Sequence, residues 1–434
     1  MPTKSITTLA KLAHKSNIKS SFRYKVERHC AFIQEWLERA DTVPLSISLP
    51  AVGNRNLSSQ DELGPYMDLF VGVAHKVRSL EVTIGDADLL EPLRRLEPGG
   101  FPLLEELVLV YAPTSAHHEN RLRGWERWGI FEATRLRSLT LRRFPSLNIP
   151  ELFVDWSQLT YFNMESSGSL SVLEAYLLLS QCPELVSCTL DIEDGEEDTR
   201  ERRPRYSFVS LPHLEFLSIT ERPSSLSALF ECLDVHSLRS VEFYSCLRPS
   251  NRYRSALITL LSRCPGGVSQ LTIDFHSFTY ADITDCLSRV PFLTHLFHKR
   301  SAHVRTSRLQ ECANKALPVS IVDSVLRLLT PSGPNDGMFY CPMLMHLGVV
   351  NAISVSEKAV LSFINNRRGS NAPSSVAKLQ RVEALLTQKS LEVPLLSVND
   401  YVDDGVHVEL TYLKCPPSRN SSRSSTSSAT TLMG

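Results

Sequence analysis

Leu159-Thr-Tyr-Phe162-Asn-Met164, Ser169-Leu-Ser-Val-Leu-Glu-Ala-Tyr-Leu-Leu-Leu-Ser180, Cys182-Pro183 and Leu185-Val-Ser-Cys188-Thr-Leu190 follow one another within 32 residues. The first and last runs share the pattern apolar-x-x-apolar-x-apolar, which suits a short strand with one buried side. Between them, apolar residues at helical spacing follow serines able to cap a helix. Proline then stops that helix and sets an extended turn into the next strand.

This unit recurs. The strand pattern appears at Val77–Val82, Leu104–Leu109, Leu136–Leu141, Leu159–Met164, Leu185–Leu190, Leu214–Ile219, Leu238–Phe243, Val268–Ile273, Leu293–His298 and Leu344–Val349. Its central apolar residue moves from 80 to 296 in eight steps, a mean of 27 residues. That spacing lies within the roughly 20–29 residues of a leucine-rich repeat. Further helical stretches are expected at Ser224–Leu233, Ser255–Ser262, Tyr280–Ser288 and Ser354–Ile364. The step from Leu296 to Leu347 is 51 residues, so a degenerate repeat is expected there, with Val319–Leu329 as its helix. Neither a lone strand nor a lone helix can bury its apolar side. Stacked units can, and the expectation is a right-handed α/β solenoid: an irregular leucine-rich-repeat fold with a curved parallel sheet and helices on its convex side.

A second regularity marks the return to each strand. Phe101-Pro102, Cys182-Pro183, Leu211-Pro212, Cys264-Pro265, Val290-Pro291 and Cys341-Pro342 all precede a strand by a few residues. Leucine, valine and phenylalanine stand in for cysteine at this position, so Cys182, Cys264 and Cys341 read as buried apolar residues rather than reactive ones.

These irregular repeats, with the Leu-x-x-Leu-x-Leu core and the Leu-x-x-Cys-Pro-x-Leu return, resemble the leucine-rich-repeat part of fungal F-box proteins. Ile33–Leu49 is similar to the segment that follows the F-box in that family, and the resemblance covers roughly residues 30 to 413. It implies a substrate-recognition subunit of a ubiquitin ligase, with a cullin-ligase adaptor as partner if an F-box exists. The chain departs from the family in two ways. Only Cys246 fits the Asn/Cys position of regular repeats, so no asparagine ladder is expected. No Leu-Pro-x-Glu-type helix is recognisable in residues 1–30. The alternative is a scaffold or structural repeat protein with no ligase role.

Composition narrows the function. The 434 residues carry 46 Lys+Arg against 47 Asp+Glu, and 42% of them are hydrophobic. A generally basic nucleic-acid binder and a wholly disordered chain are both excluded. No apolar run approaches the ~18 residues that span a bilayer, and no secretory h-region opens the chain. Ten cysteines without any Cys-x-x-Cys suit a reducing compartment, cytoplasmic or nuclear, with free thiols. Three segments are expected: a basic helical N-terminal part (1–44, by resemblance the remnant of an F-box region), the repeats (45–413) and a disordered Ser/Thr-rich tail (414–434). The Lys-rich, acid-poor start also leaves open a mitochondrial transit peptide. The acid-rich stretch 191–205 is expected as a solvated loop.

Catalytic signatures are missing: no Gly-x-Ser-x-Gly, Walker loop, Gly-x-Gly-x-x-Gly or His-Glu-x-x-His occurs. Neither cofactor nor metal is therefore expected. His117-His118 lacks further ligands at suitable spacing, and Asp86 and Asp88 read as helix-opening acids. The chain is expected to be a non-enzymatic monomer that binds a protein on its concave face. Strand alternation assigns to that face Arg142, Tyr161, Glu165, Phe216, Glu242, Tyr244, Asp274, His295 and Phe297, together with Glu81, Glu106, Val108, Asn163 and Asp191. Aromatics among charges of both signs suit a protein partner rather than nucleic acid.

Overall fold

In the computed structural model, residues 19–412 are described apart from 41, 50–59, 85–92, 94–95, 98, 113–127, 145–151, 166–168, 194–205, 223–225, 247–254, 265–266, 300–320, 332–338, 350–354, 369–372 and 387–405. Asp86, Asp88, the His117-His118 pair, most of the acid-rich stretch and the tail lie outside the described residues.

All ten repeated runs are strands of one sheet. The strands are β1 (Leu45–Leu49), β2 (Val77–Ile84), β3 (Glu106–Tyr111), β4 (Ser138–Arg142), β5 (Tyr161–Glu165), β6 (Ser187–Ile192), β7 (Val209–Ser210), β8 (Phe216–Glu221), β9 (Leu233–Asp234), β10 (Ser240–Ser245), β11 (Gln270–Ile273), β12 (His295–His298), β13 (His346–Val349), β14 (Arg381–Leu386) and β15 (His407–Tyr412). Thirteen form a single sheet in chain order, while β7 and β9 make a separate two-stranded pair. Every neighbouring pair is parallel. The class is α/β.

The register explains the repeat. Ile47 pairs with Leu80, Leu80 with Leu107, Leu107 with Leu139, and the column runs on through Phe162, Cys188, Leu217, Val241, Leu271, Leu296, Leu347 and Val382 to Val408. None of these side chains is more than 8% exposed. Just before the strands, backbone N–H groups donate in relay, Glu105 to Arg78, Arg137 to Glu105, Thr160 to Arg137 and Val186 to Thr160, each at 2.8–2.9 Å. The same relay continues to Gln380 N–H on Met345 O. Strands adjacent in sequence and ordered this way, with right-handed crossovers, carry their connections on one side and leave the other face open.

Eight helices are described: α1 (Lys19–Arg39), α2 (Gln60–Val73), α3 (Val172–Gln181), α4 (Ser227–Cys232), α5 (Ala256–Ser262), α6 (Tyr280–Arg289), α7 (Ile321–Leu328) and α8 (Glu357–Arg368). Ser171 opens α3 through a reciprocal cap: Glu174 N–H donates to Ser171 Oγ at 3.2 Å, and Ser171 N–H to Glu174 Oε2 at 2.7 Å. Thr279 and Asp282 repeat that arrangement at α6. The returns close with three-residue turns such as Leu185 N–H to Cys182 O and Leu344 N–H to Cys341 O. Their pre-proline residues are buried as expected. Burial pushes the Cys182, Cys264 and Cys341 thiols up to about 12.

The described parts of the links from β3 to β4 and from β4 to β5 carry short 3-10 turns, Gly129–Glu132 and Trp156–Gln158, in which Phe131 and Trp156 are buried. The 51-residue step contains α7 but adds no strand to the sheet, because β12 pairs directly with β13, His295 opposite His346. The basic N-terminal helix is also docked rather than merely solvated. Leu37 is buried, and Ile33 and Trp36 pack against the core. His29 Nδ1 and Tyr66 Oη, 3.0 Å apart, tie α1 to α2.

Phe243 is fully buried between Phe230 at 6.3 Å and Phe278 at 6.0 Å, so its ring stitches neighbouring units together. Phe243→Ala is expected to cost about 3–5 kcal/mol, as for other large core deletions. Urea unfolding followed by circular dichroism measures this directly.

Candidate functional site

The open face of the sheet is built by register. Tyr161, Phe216 and His295 fall in one lateral row, linked through Ser187, Ser240 and Gln270. Glu242 and Phe297 fall in the next row, two strand spacings apart with Thr272 between them. Arg142 sits opposite Glu165 in a third row, which also holds Tyr244 beside Thr220. Glu81 and Val108 pair within the middle row, and Glu106 lies in the first. Residues up to 216 positions apart in the chain, Glu81 and Phe297, are thus gathered on one surface.

Exposure along these rows is uneven. Arg142, Glu106 and Tyr161 are exposed, and Phe216, Glu242, His295 and Phe297 are half-buried. The side chain of Glu165 lies outside the described residues. Tyr161 and Phe216 stand two strand spacings apart, about 10 Å. The floor between them is short and polar, made by Ser187, Thr189 and Ser218. Asn163 Nδ2 donates to Tyr161 Oη at 3.3 Å.

Four residues expected on display are instead buried: Asn163 at 9%, Asp191 at 3%, Tyr244 at 7% and Asp274 at 4% exposed. Each is covered for a visible reason. Arg222 clamps Asp191 with two bonds, Nη2 to Oδ2 at 2.8 Å and Nε to Oδ1 at 3.1 Å, and reaches Glu193 at 3.3 Å. Asp191 therefore belongs to β6 rather than to a solvated loop. Burial alone would lower the Arg222 pKa, but the Asp191 bond and charge carry it above its ordinary value. Tyr244 Oη donates to Glu242 Oε2 at 3.2 Å, and burial followed by the Glu242 charge pushes its pKa up.

Phe297 approaches Gly348 of the neighbouring strand closely. A Cβ on Gly348 would come within 2.4 Å of its ring, so this close approach requires glycine. His295 and His346 meet edge to face with centroids 4.2 Å apart, and His346 Nε2 sits 3.0 Å from Gln380 Oε1. Burial, and then the charge of His346, lower the His295 pKa.

One cluster was missed by reading the sequence. Asp274 Oδ1 accepts the His276 backbone N–H at 3.0 Å and lies 3.3 Å from His276 Nδ1. His298 Nδ1 is 3.9 Å from the same oxygen, and the His298 ring is fully buried. Burial would raise the Asp274 carboxyl, but the His276 bond and the charges of His298 and His276 carry it below its ordinary range. The available signal was His298 itself, which occupies a position where most other repeats place leucine, isoleucine, valine or phenylalanine.

Two clefts of about 460 and 530 Å³ lie among the connections instead of on the open face. Phe153 and Trp156 line the first; Asp323, Arg327 and Lys358 line the second. Both open broadly to solvent. Among the described residues, no helix is long and apolar enough to cross a membrane.

No family model and no curated protein matches this chain. Among solved structures, that of the Rad7 and Elc1 complex from yeast is similar over 73% of this chain and 71% of that chain, at 17% identity and a TM-score of 0.42.

Glu221 ends β8 and is 4% exposed. Burial raises its pKa from 4.5 to about 7, opposed by hydrogen bonds from Ser245 and the Leu226 backbone. Below pH 4.5 the folded and unfolded chains both hold this proton. As pH rises towards about 7, the unfolded chain releases it first, so stability falls through that window. Glu221→Gln is expected to remove the loss, making the variant more stable than the parent above pH 7 by on the order of 3 kcal/mol. Urea midpoints at pH 4.5 and 8 measure the difference.

Proposed function

We propose that this chain is a non-enzymatic leucine-rich-repeat solenoid whose concave sheet face binds another protein. The observation that carries this reading is the lateral register, which sets exposed Tyr161 and half-buried Phe216 and Phe297 on one open face among Glu106, Glu242 and Arg142. Aromatic side chains with apolar bodies and polar neighbours are the usual anchors of protein interfaces. Acids along the middle row disfavour a nucleic-acid backbone as occupant. The chain would work as a monomer, in the cytoplasm or nucleus.

Following the resemblance of its repeats to fungal F-box proteins, the bound protein would be a substrate presented for ubiquitination, and a cullin-ligase adaptor would be the second partner. The competing reading is a scaffold that uses the same face without a ligase.

Tyr161→Ala combined with Phe216→Ala is expected to leave the far-ultraviolet circular dichroism and the melting temperature unchanged. The pair should weaken binding of a partner identified by cross-linking to the parent chain by at least about tenfold, the loss of one good interface anchor. Unchanged affinity would move the binding surface off this face. Affinity purification of the tagged full chain separates the two readings. Recovery of cullin-ligase subunits supports the receptor, and their absence alongside a retained partner supports the scaffold.

A further inference from the structure

We propose that Asp274, His276 and His298 form a zinc-binding site at the end of β11 and β12. Two adjacent strand ends create it: Ile273 pairs with His298, Asp274 follows Ile273, and the 3-10 turn Phe275–Ser277 brings His276 back over the Asp274 carboxylate. One donor atom from each residue lies within 4.8 Å of the other two. Two imidazoles and a carboxylate are the ligand types that bind Zn²⁺ with a fourth position left open.

The spacing is close to what the ion needs. Four-coordinate zinc with bonds of about 2.0–2.1 Å holds its donors about 3.3 Å apart. His276 Nδ1 already stands 3.3 Å from Asp274 Oδ1, and His298 Nδ1 must close from 3.9 Å. His298 Nδ1 lies 3.2 Å from the Phe275 nitrogen and 3.3 Å from Ile273 O, so it holds a lone pair in one neutral tautomer and a proton in the other. Zinc would select the tautomer with the lone pair on Nδ1, and the Asp274 carboxylate supplies the negative charge in a nearly dry site.

The ring is held in place, as a ligand ring must be. His298 stacks on Phe275 with centroids 4.9 Å apart and planes 10° from parallel. Such outer contacts orient metal ligands. His276 is the least buried of the three, so the open coordination position lies on its side, towards solvent. Binding replaces the contacts of His298 Nδ1 with the Phe275 N–H and Ile273 O, and that of His276 Nδ1 with Asp274 Oδ1, by bonds to the ion, and both neutral rings then carry their proton on Nε2.

The test uses the full chain, freed of metal by chelator dialysis and titrated with Zn²⁺ against a chromophoric competitor, with Co²⁺ as spectroscopic probe. The expected result is one equivalent bound, a visible Co²⁺ spectrum of four-coordinate intensity, and no thiolate charge-transfer band. His276→Ala removes a partly exposed ring, and Asp274→Asn keeps the oxygen that caps the turn, so both variants should fold. Each should lose more affinity than the roughly 10–100-fold that removing an outer partner costs, while His295→Ala should bind as the parent does. Failure of the parent to bind, a thiolate band, or unchanged binding in His276→Ala and Asp274→Asn would overturn the site.

Discussion

Everything in this molecule depends on one repeated contact: the central apolar residue of a strand resting on its counterpart one strand away. Leu80, Leu107, Leu139 and Phe162 are each less than 2% exposed, yet no single unit could bury them. A side chain of this size gains roughly 1.5–3 kcal/mol when fully buried, and only the neighbouring units make that possible. The parallel register and the backbone relay at the strand entrances keep successive side chains aligned. A slip by one residue would turn the whole apolar column outwards.

That constraint divides the chain into parts that are free to vary and parts that are not. Connections tolerate large differences because they need only return to register. Some carry capped helices, others short turns around Phe131 or Trp156, and one spans 47 intervening residues between paired strands β12 and β13. The open face is freer still, since its side chains do not hold the sheet together. Serine, glutamate, phenylalanine and glycine succeed one another there, and Phe297 approaches so closely only because the next strand offers Gly348.

Sequence reading found the periodic elements because burial imposes the period. It placed ten strands, the helical stretches at Ser169–Ser180 and Ser255–Ser262, and the buried cysteines before proline. It overlooked β1, β14 and β15. In β14 the run Leu379-Gln-Arg-Val382-Glu-Ala384 ends on alanine, too small to stand out as a core residue, although it is 3% exposed. It also judged exposure at strand ends from alternation alone. Alternation chooses the face, but a turn such as Phe275–Ser277 or a long side chain such as Arg222 decides what reaches water. The Asp274 cluster was illegible for a related reason: only strand register brings His298 beside Asp274, 24 positions earlier.

The buried cysteines distribute a set of gauges along the molecule. Cys182, Cys188, Cys264, Cys286 and Cys341 sit in different segments, all buried and unbridged. A thiol titrating near 12 is nearly all protonated at neutral pH and cannot react until its surroundings part. In a linear stack, where each layer touches chiefly its neighbours, segments can open by themselves. The speed at which an alkylating reagent marks each sulfur therefore reports how often that layer comes apart, turning an inert packing residue into a local clock.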